Sequence, residues 1–277
     1  NITLTTEQSF GNVQSKTSAE VKFGGDYTGA INTNVGTNTF TFSKKNAQVN
    51  GTITASAFWD FYATAKNTFI FQKAATVASD ITAESGEYGG VGTNNFKFQD
   101  TGVFTGNIVA NSGENIITAA NGISLKNFSA SKGGSNSVTA TAGNITFSEG
   151  ITAIGGSNHI TSSGTVTLAS LVAKKSGYNY ISAQDLTLKQ DAIIGVGGGN
   201  HIVINNSAGD VTIAKQIRIQ SDGGYSGKNT LALNAVNVTL GTDESSRIGL
   251  TINESSNGNP AYDSTASNLI LLNGTTT

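Results

Sequence analysis

Asn94-Asn95-Phe96, Asn115-Ile116-Ile117, Asn136-Ser137-Val138, Asn158-His159-Ile160, Asn179-Tyr180-Ile181 and Asn200-His201-Ile202 repeat one short cassette. It is an asparagine, any residue, then a large apolar residue, at intervals of 21, 21, 22, 21 and 21 residues. A fixed interval of this size marks a repeat architecture, in which each unit is stable only against its neighbours.

Two further runs fill each interval. One has an apolar-Thr-apolar core: Ile145-Thr146-Phe147, Val166-Thr167-Leu168, Leu186-Thr187-Leu188, Val211-Thr212-Ile213 and Val238-Thr239-Leu240. The other centres on a single large apolar residue: Ile108, Phe128, Ile151, Leu171, Ile193 and Ile217. Apolar and polar residues alternate within each run, which fits short strands with one face inward. Gly, Asn and Ser bound the runs and leave no room for a helix of ordinary length. Three strands per coil of about 21 residues predict an all-β fold, a three-sided parallel β-helix whose coils rise about 4.8 Å each. Parallel crossovers are overwhelmingly right-handed, so a right-handed solenoid is expected.

The repeated asparagines, Asn94, Asn115, Asn136, Asn158, Asn179, Asn200 and, one coil on, Asn229, are expected to stack as a structural ladder. An amide both donates and accepts, and asparagine tolerates left-handed backbone, so the ladder is placed at a corner.

The whole chain, 1–277, reads as one β-helix domain. Residues 1–37 are irregular first coils: Ile2-Thr3-Leu4 and the pair Val21 and Phe23 resemble the second run, Ile31 the third. Clear repeats occupy 38–277, with insertions at 84–93, 220–228, 241–246 and 253–267. The aromatic stretch Ala57-Phe58-Trp59-Asp60-Phe61-Tyr62 is read as core or corner packing, in preference to a loop covering one side. Asn268-Leu269-Ile270 resembles a first run, and neither end looks like a cap, so an uncapped fragment of a longer chain is expected.

Composition narrows the function classes. Charged residues make up 12% and net charge is −2, which argues against a nucleic-acid footprint. No apolar run reaches the length of a membrane helix, so direct membrane insertion is not expected. The chain has no Cys, which excludes disulfides and thiolate metal sites.

Three features invite a chemical reading. Asp185 and Asp210 occupy equivalent positions on neighbouring coils but have no recurrent Arg or His beside them, and read as turn residues. His159 and His201 flank Tyr180 at intervals of one coil, too far apart to share a metal without a third ligand, and read as stacked surface residues. Gly195-Val196-Gly197-Gly198-Gly199 lies between strands with no helix after it, so it is no phosphate cradle. No catalytic residue, metal site or cofactor is therefore expected. Binding is placed instead at the insertions that follow the third run, since inserted loops on one face of a solenoid often form the binding face. Tyr88, Tyr225 and Tyr262, with Asp222, are the candidate ligand-binding residues, each tyrosine set among small polar residues. The alternative is tolerated loop variation.

The cassettes Asn-x-Phe/Ile, x-Val-Thr-Leu and Gly-x-Ile-Thr-Ala, in a chain without Cys and rich in Asn, Thr and Gly, resemble passenger domains of Gram-negative autotransporters. The segments Asn38-Thr39-Phe40-Thr41-Phe42 and Asn94-Asn95-Phe96-Lys97-Phe98-Gln99-Asp100 are similar to repeats of the vacuolating-cytotoxin-like autotransporters of Helicobacter and relatives. The resemblance covers most of the chain from Asn38 onward. It implies type V secretion through a C-terminal outer-membrane barrel and a place on the bacterial surface or outside the cell. No catalytic motif of the family is matched, and the toxin's apolar N-terminal channel-forming segment has no counterpart.

The expected function is a non-enzymatic, surface-exposed or secreted passenger, a rigid stalk for host-cell adhesion or host modulation. Its partner would be a host cell-surface receptor or glycan. One alternative is a receptor-binding or oligomerising module of a vacuolating-type toxin, self-associating through solenoid ends or sides. A second is a polysaccharide-active β-helix enzyme.

Overall fold

The computed structural model describes residues 2–4, 8–9, 13–15, 19–57, 64–86, 89–189, 193–214, 217–220, 227–241, 251–253 and 267–276. Every regular element among them is a strand. One coil shows the plan: Tyr178–Ala183, Asp185–Leu188 and Ile193–Val196 are its first, second and third strands. Their inward and outward residues alternate without a break, as the period-two pattern requires.

Each strand pairs in parallel with its counterpart one coil away, so Asn158 faces Asn179, Val166 faces Leu186, and Leu171 faces Ile193. Third strands form an 11-stranded sheet, and first and second strands together form a 22-stranded one. The two columns of the larger sheet fuse at Lys228–Leu240, one strand long enough to pair with both Gly199–Asn205 and Asp210–Ile213. The chain is a parallel β-helix of three strand columns.

The interior is built of like residues stacked on like. Phe40, Phe69 and Phe96 stack with ring centroids 5.1 and 4.6 Å apart, and Phe42, Phe71 and Phe98 at 5.0 and 4.5 Å. The first column then continues through Ile117, Val138, Ile160, Ile181, Ile202 and Leu231. Where Phe98 gives way to Ala119 and Ala140, volume returns from other sides, as Phe128 and Phe147 meet edge to face at 5.2 Å. A second inward column is small over seven coils: Ala55, Ala83, Ala110, Ala130 and Ala153 lead to Ala173 and Gly195.

The structure corrects three expectations. Residues 19–33 form a regular coil, and Val21 and Phe23 belong to its first strand, opposite Phe40 and Phe42. Ile2–Leu4 pairs with Val21, Lys22 and Phe23 and is likewise a first strand, not a second. Ala19 fills the asparagine position there, so the marker is missing while the strand is present. Second, the repeated asparagines lie inside strands at inward positions, as in the buried-exposed alternation of Tyr178–Ala183. Left-handed backbone falls at other corner residues: Ser112, Lys132, Lys175 and Ser176, with Gly155 and Gly197. Third, the segment 84–93 is less an insertion than it looks. Glu84 ends the third strand and Val91, Gly92 and Thr93 lengthen the first, paired with Thr64, Ala65 and Lys66. Residues 58–62 of the aromatic stretch lie outside the described residues.

Candidate functional site

Polar side chains are the place to look for function in a solenoid with an apolar core, and the buried asparagines among them are already engaged. Asn38, Asn67, Asn94, Asn115, Asn136, Asn158, Asn179, Asn200 and Asn229 are buried at 0–1% exposure. From Asn115 on, each amide nitrogen donates to the next asparagine's Oδ1 at 2.9 Å, and between Asn38 and Asn115 at 3.0–3.4 Å. The other amide hydrogen donates to a carbonyl of the preceding third strand: Thr82, Val109, Ser129, Thr152, Val172 or Ile194. The residue after each of these carbonyls belongs to the small inward column, Ala83 to Gly195. A buried amide with both hydrogens and its oxygen bonded has nothing left for a ligand.

The acidic pair is engaged in the same manner. Asp185 accepts from the Asp210 amide at 2.7 Å and from Thr165 Oγ1 at 3.3 Å, and Asp210 accepts from Asn237 Nδ2 at 2.8 Å. At another corner Asp80 accepts from the amide and side chain of Asn107, and Asn127 links Asn107 to Glu149. These carboxylates fasten one coil to the next.

One outward cluster of rings stands apart. Residues at and just before the asparagine-flanking position of three coils put His159, Tyr180 and His201 in register, with Tyr178 beside them. His159 lies 6.0 Å from Tyr180 and 6.1 Å from Tyr178 between ring centroids, and Tyr180 meets His201 edge to face at 5.4 Å. The Tyr178 hydroxyl is hydrogen-bonded to His201 Nδ1 at 3.1 Å. Gly199 is the register partner of Tyr178, and a Cβ built there would lie 3.6 Å from Tyr178 Cδ2. The tyrosine ring thus lies along the sheet, over the glycine, toward the next coil. Burial, helped by the neighbouring Tyr180, raises the Tyr178 hydroxyl pKa above its ordinary value, so it stays protonated.

Exposed lysines border the rings. Lys174 and Lys175 precede Tyr178 at the corner, and Lys228 continues the Tyr178–Gly199 register on the following coil. The nearest carboxylate on this outer column among the described residues is Glu114, which reaches Tyr178 only through Ser135 and Ser157.

Comparison with protein-family models, with curated proteins and with solved structures finds no match to this chain. Among the described residues no group of three or more His, Asp or Glu could hold a metal ion. No helix of the described residues is long and apolar enough to cross a membrane.

Tyr88, Asp222, Tyr225 and Tyr262 lie outside the described residues. The strands that bracket them are described: Glu84 and Val91 around Tyr88, Gln220 and Lys228 around Asp222 and Tyr225, and Asn253 and Ser267 around Tyr262. Tyr178 is not among the sequence-predicted site residues; it stands before the cassette asparagine, a position that period-two alternation also turns outward.

Proposed function

We propose that this chain is a rigid β-helical stalk of a surface-exposed or secreted autotransporter passenger, non-enzymatic, that presents side chains for adhesion to host cells or their modulation. The observation that carries this reading is the unbroken asparagine ladder through nine coils, set beside a continuous apolar stack. Such a column has few ways to bend, because each coil is fixed to the next by strand pairing, core stacking and buried amides at once. The engagement of Asp185 and Asp210 in coil-to-coil bonds supports the non-enzymatic part. Secretion and surface placement rest on the resemblance of the cassettes to autotransporter passengers.

The test is binding of the purified chain to epithelial cells. Saturable binding, with the β-sheet circular dichroism of a folded solenoid, is the expected result. Absence of binding at any concentration would reduce the chain to a spacer.

A further inference from the structure

We infer that the outer face formed by His159, Tyr178, Tyr180 and His201, with Lys174, Lys175 and Lys228 at its margin, is a binding site for an acidic saccharide. The inference rests on the adhesion reading for its biological setting, and names the ligand class and the residues.

The argument begins with the backbone. A parallel column of first strands holds its outward side chains on a nearly flat surface, one every 4.8 Å or so along the solenoid. Most of that surface bears small residues. Ser137 precedes His159 in the register, and Thr230 follows His201. Only over three successive coils do rings replace them. Tyr178 is 37% exposed although its ring rests on the sheet over Gly199 and its hydroxyl is tied to His201. A tyrosine held flat shows solvent an apolar ring face with a polar edge. The apolar C–H face of a pyranose stacks on such a surface, while its hydroxyls need donors and acceptors close by. The imidazoles of His159 and His201 and the Tyr180 hydroxyl supply them within the same cluster.

The charge of the margin selects among saccharides. The chain as a whole is slightly acidic at −2. Here exposed Lys228 stands one coil beyond the Gly199 that Tyr178 covers, exposed Lys174 and Lys175 lie four and three residues before Tyr178, and the described residues of the ring registers hold no carboxylate from Ser135 onward. A bound carboxylate would find cations at the edge of the ring surface and, among the described residues of these registers, no carboxylate beside the rings to repel it. The shared feature of the ligand is thus a pyranose that bears a carboxylate, as in a sialic acid or a uronic acid. Three coils of rings match a short run of sugars lying along the solenoid axis. A protein ligand would draw on larger apolar area than these rings offer.

Calorimetry on the whole chain tests this with 3′-sialyllactose and a glucuronate-containing oligosaccharide, each beside its neutral counterpart, lactose and the carboxyl-reduced oligomer. The expected result is binding of at least one acidic probe, at least tenfold tighter than its neutral counterpart. Which acidic probe binds identifies the source of the carboxylate. Tyr178→Ala and Lys228→Ala should each weaken that binding by about tenfold, and Tyr178→Phe, which keeps the ring, by less. Circular dichroism and thermal unfolding confirm that the variants fold. Equal binding of acidic and neutral probes overturns the charge argument. Binding unchanged in Tyr178→Ala overturns the site. If neither acidic probe binds while the chain still adheres to cells, the ligand class is wrong and the adhesion reading stands. If the acidic probe binds but cells do not, the site is right and the adhesion reading fails.

Discussion

Asn158 Nδ2 donates to Asn179 Oδ1 at 2.9 Å, between two buried side chains that belong to successive coils and lie 21 residues apart in sequence. Its second hydrogen meets the carbonyl of Thr152, and its own oxygen accepts from Asn136. Strand pairing, coil closure and the ladder therefore meet at a single side chain.

Truncating that side chain should be costly. Asn158→Ala leaves one amide hydrogen of Asn136, the Asn179 oxygen and the Thr152 carbonyl without the partner they had. Unsatisfied buried groups cost about 1–3 kcal/mol each. A destabilisation of about 3 kcal/mol or more is expected, read as a fall in the urea midpoint. Ser137→Ala, half-buried and outward on the register of His159, should change the midpoint little and serves as the control.

The ladder can also be lengthened. Asn38 Oδ1 is buried and has no hydrogen-bond partner, and its register neighbour on the preceding coil is Ala19. Ala19→Asn puts a donor where one is lacking. A gain of about 1 kcal/mol is expected from a satisfied buried bond, measured as a raised unfolding temperature. A loss would show that the amide does not reach the ladder.

The small inward column sets a size limit. Ala153 is fully buried between Ala130 and Ala173, next to the Thr152 carbonyl that Asn158 bonds. Ala153→Leu should overpack the site and cost about 1–3 kcal/mol, with thermal unfolding as the readout. Ala153→Ser, close in volume, should cost less than the leucine.

Asp26 gives a prediction about acid. Burial alone would raise its pKa, but hydrogen bonding to Lys44 and to the Gln48 amide, with the Lys44 charge, outweighs burial and holds it below the ordinary carboxylate value. The folded state therefore binds the proton less readily than the unfolded one. The stabilisation is fully present above the unfolded pKa and is lost as pH falls through the folded one. Asp26→Asn should flatten the loss of stability below about pH 4, measured by denaturant midpoints across an acid series. An unchanged acid slope would show that other carboxylates govern it.

What the sequence made legible follows from which residues carry a marker. The asparagine of each cassette declares the coils from Asn38 on, because a buried amide tolerates few substitutes within its strand. Ala19 carries no such marker, so the preceding coil looked irregular although Val21 and Phe23 alternate correctly. The corner placement of the asparagines failed for a physical reason. Left-handed preference is a property of the isolated residue, whereas the ladder needs an inward-pointing amide on extended backbone. The alanines from Ala55 to Ala173 were visible in the sequence as companions of each third-strand apolar residue. Their relation to the ladder emerges only in the fold, where the carbonyl of the residue before each accepts from an asparagine amide. The ring cluster was half legible: His159, Tyr180 and His201 could be aligned by the period, but contact with Tyr178 depends on Gly199, whose meaning lies in what it leaves uncovered.

Because every amide in the ladder donates toward the C-terminal side, the peptide-like dipoles of nine side chains add along the solenoid axis instead of cancelling. The column has a sense, like an arrow. At any rung, the coil on the N-terminal side supplies the hydrogen and the coil on the C-terminal side supplies the oxygen. Growth of this solenoid by one coil is therefore a different chemical event at its two ends.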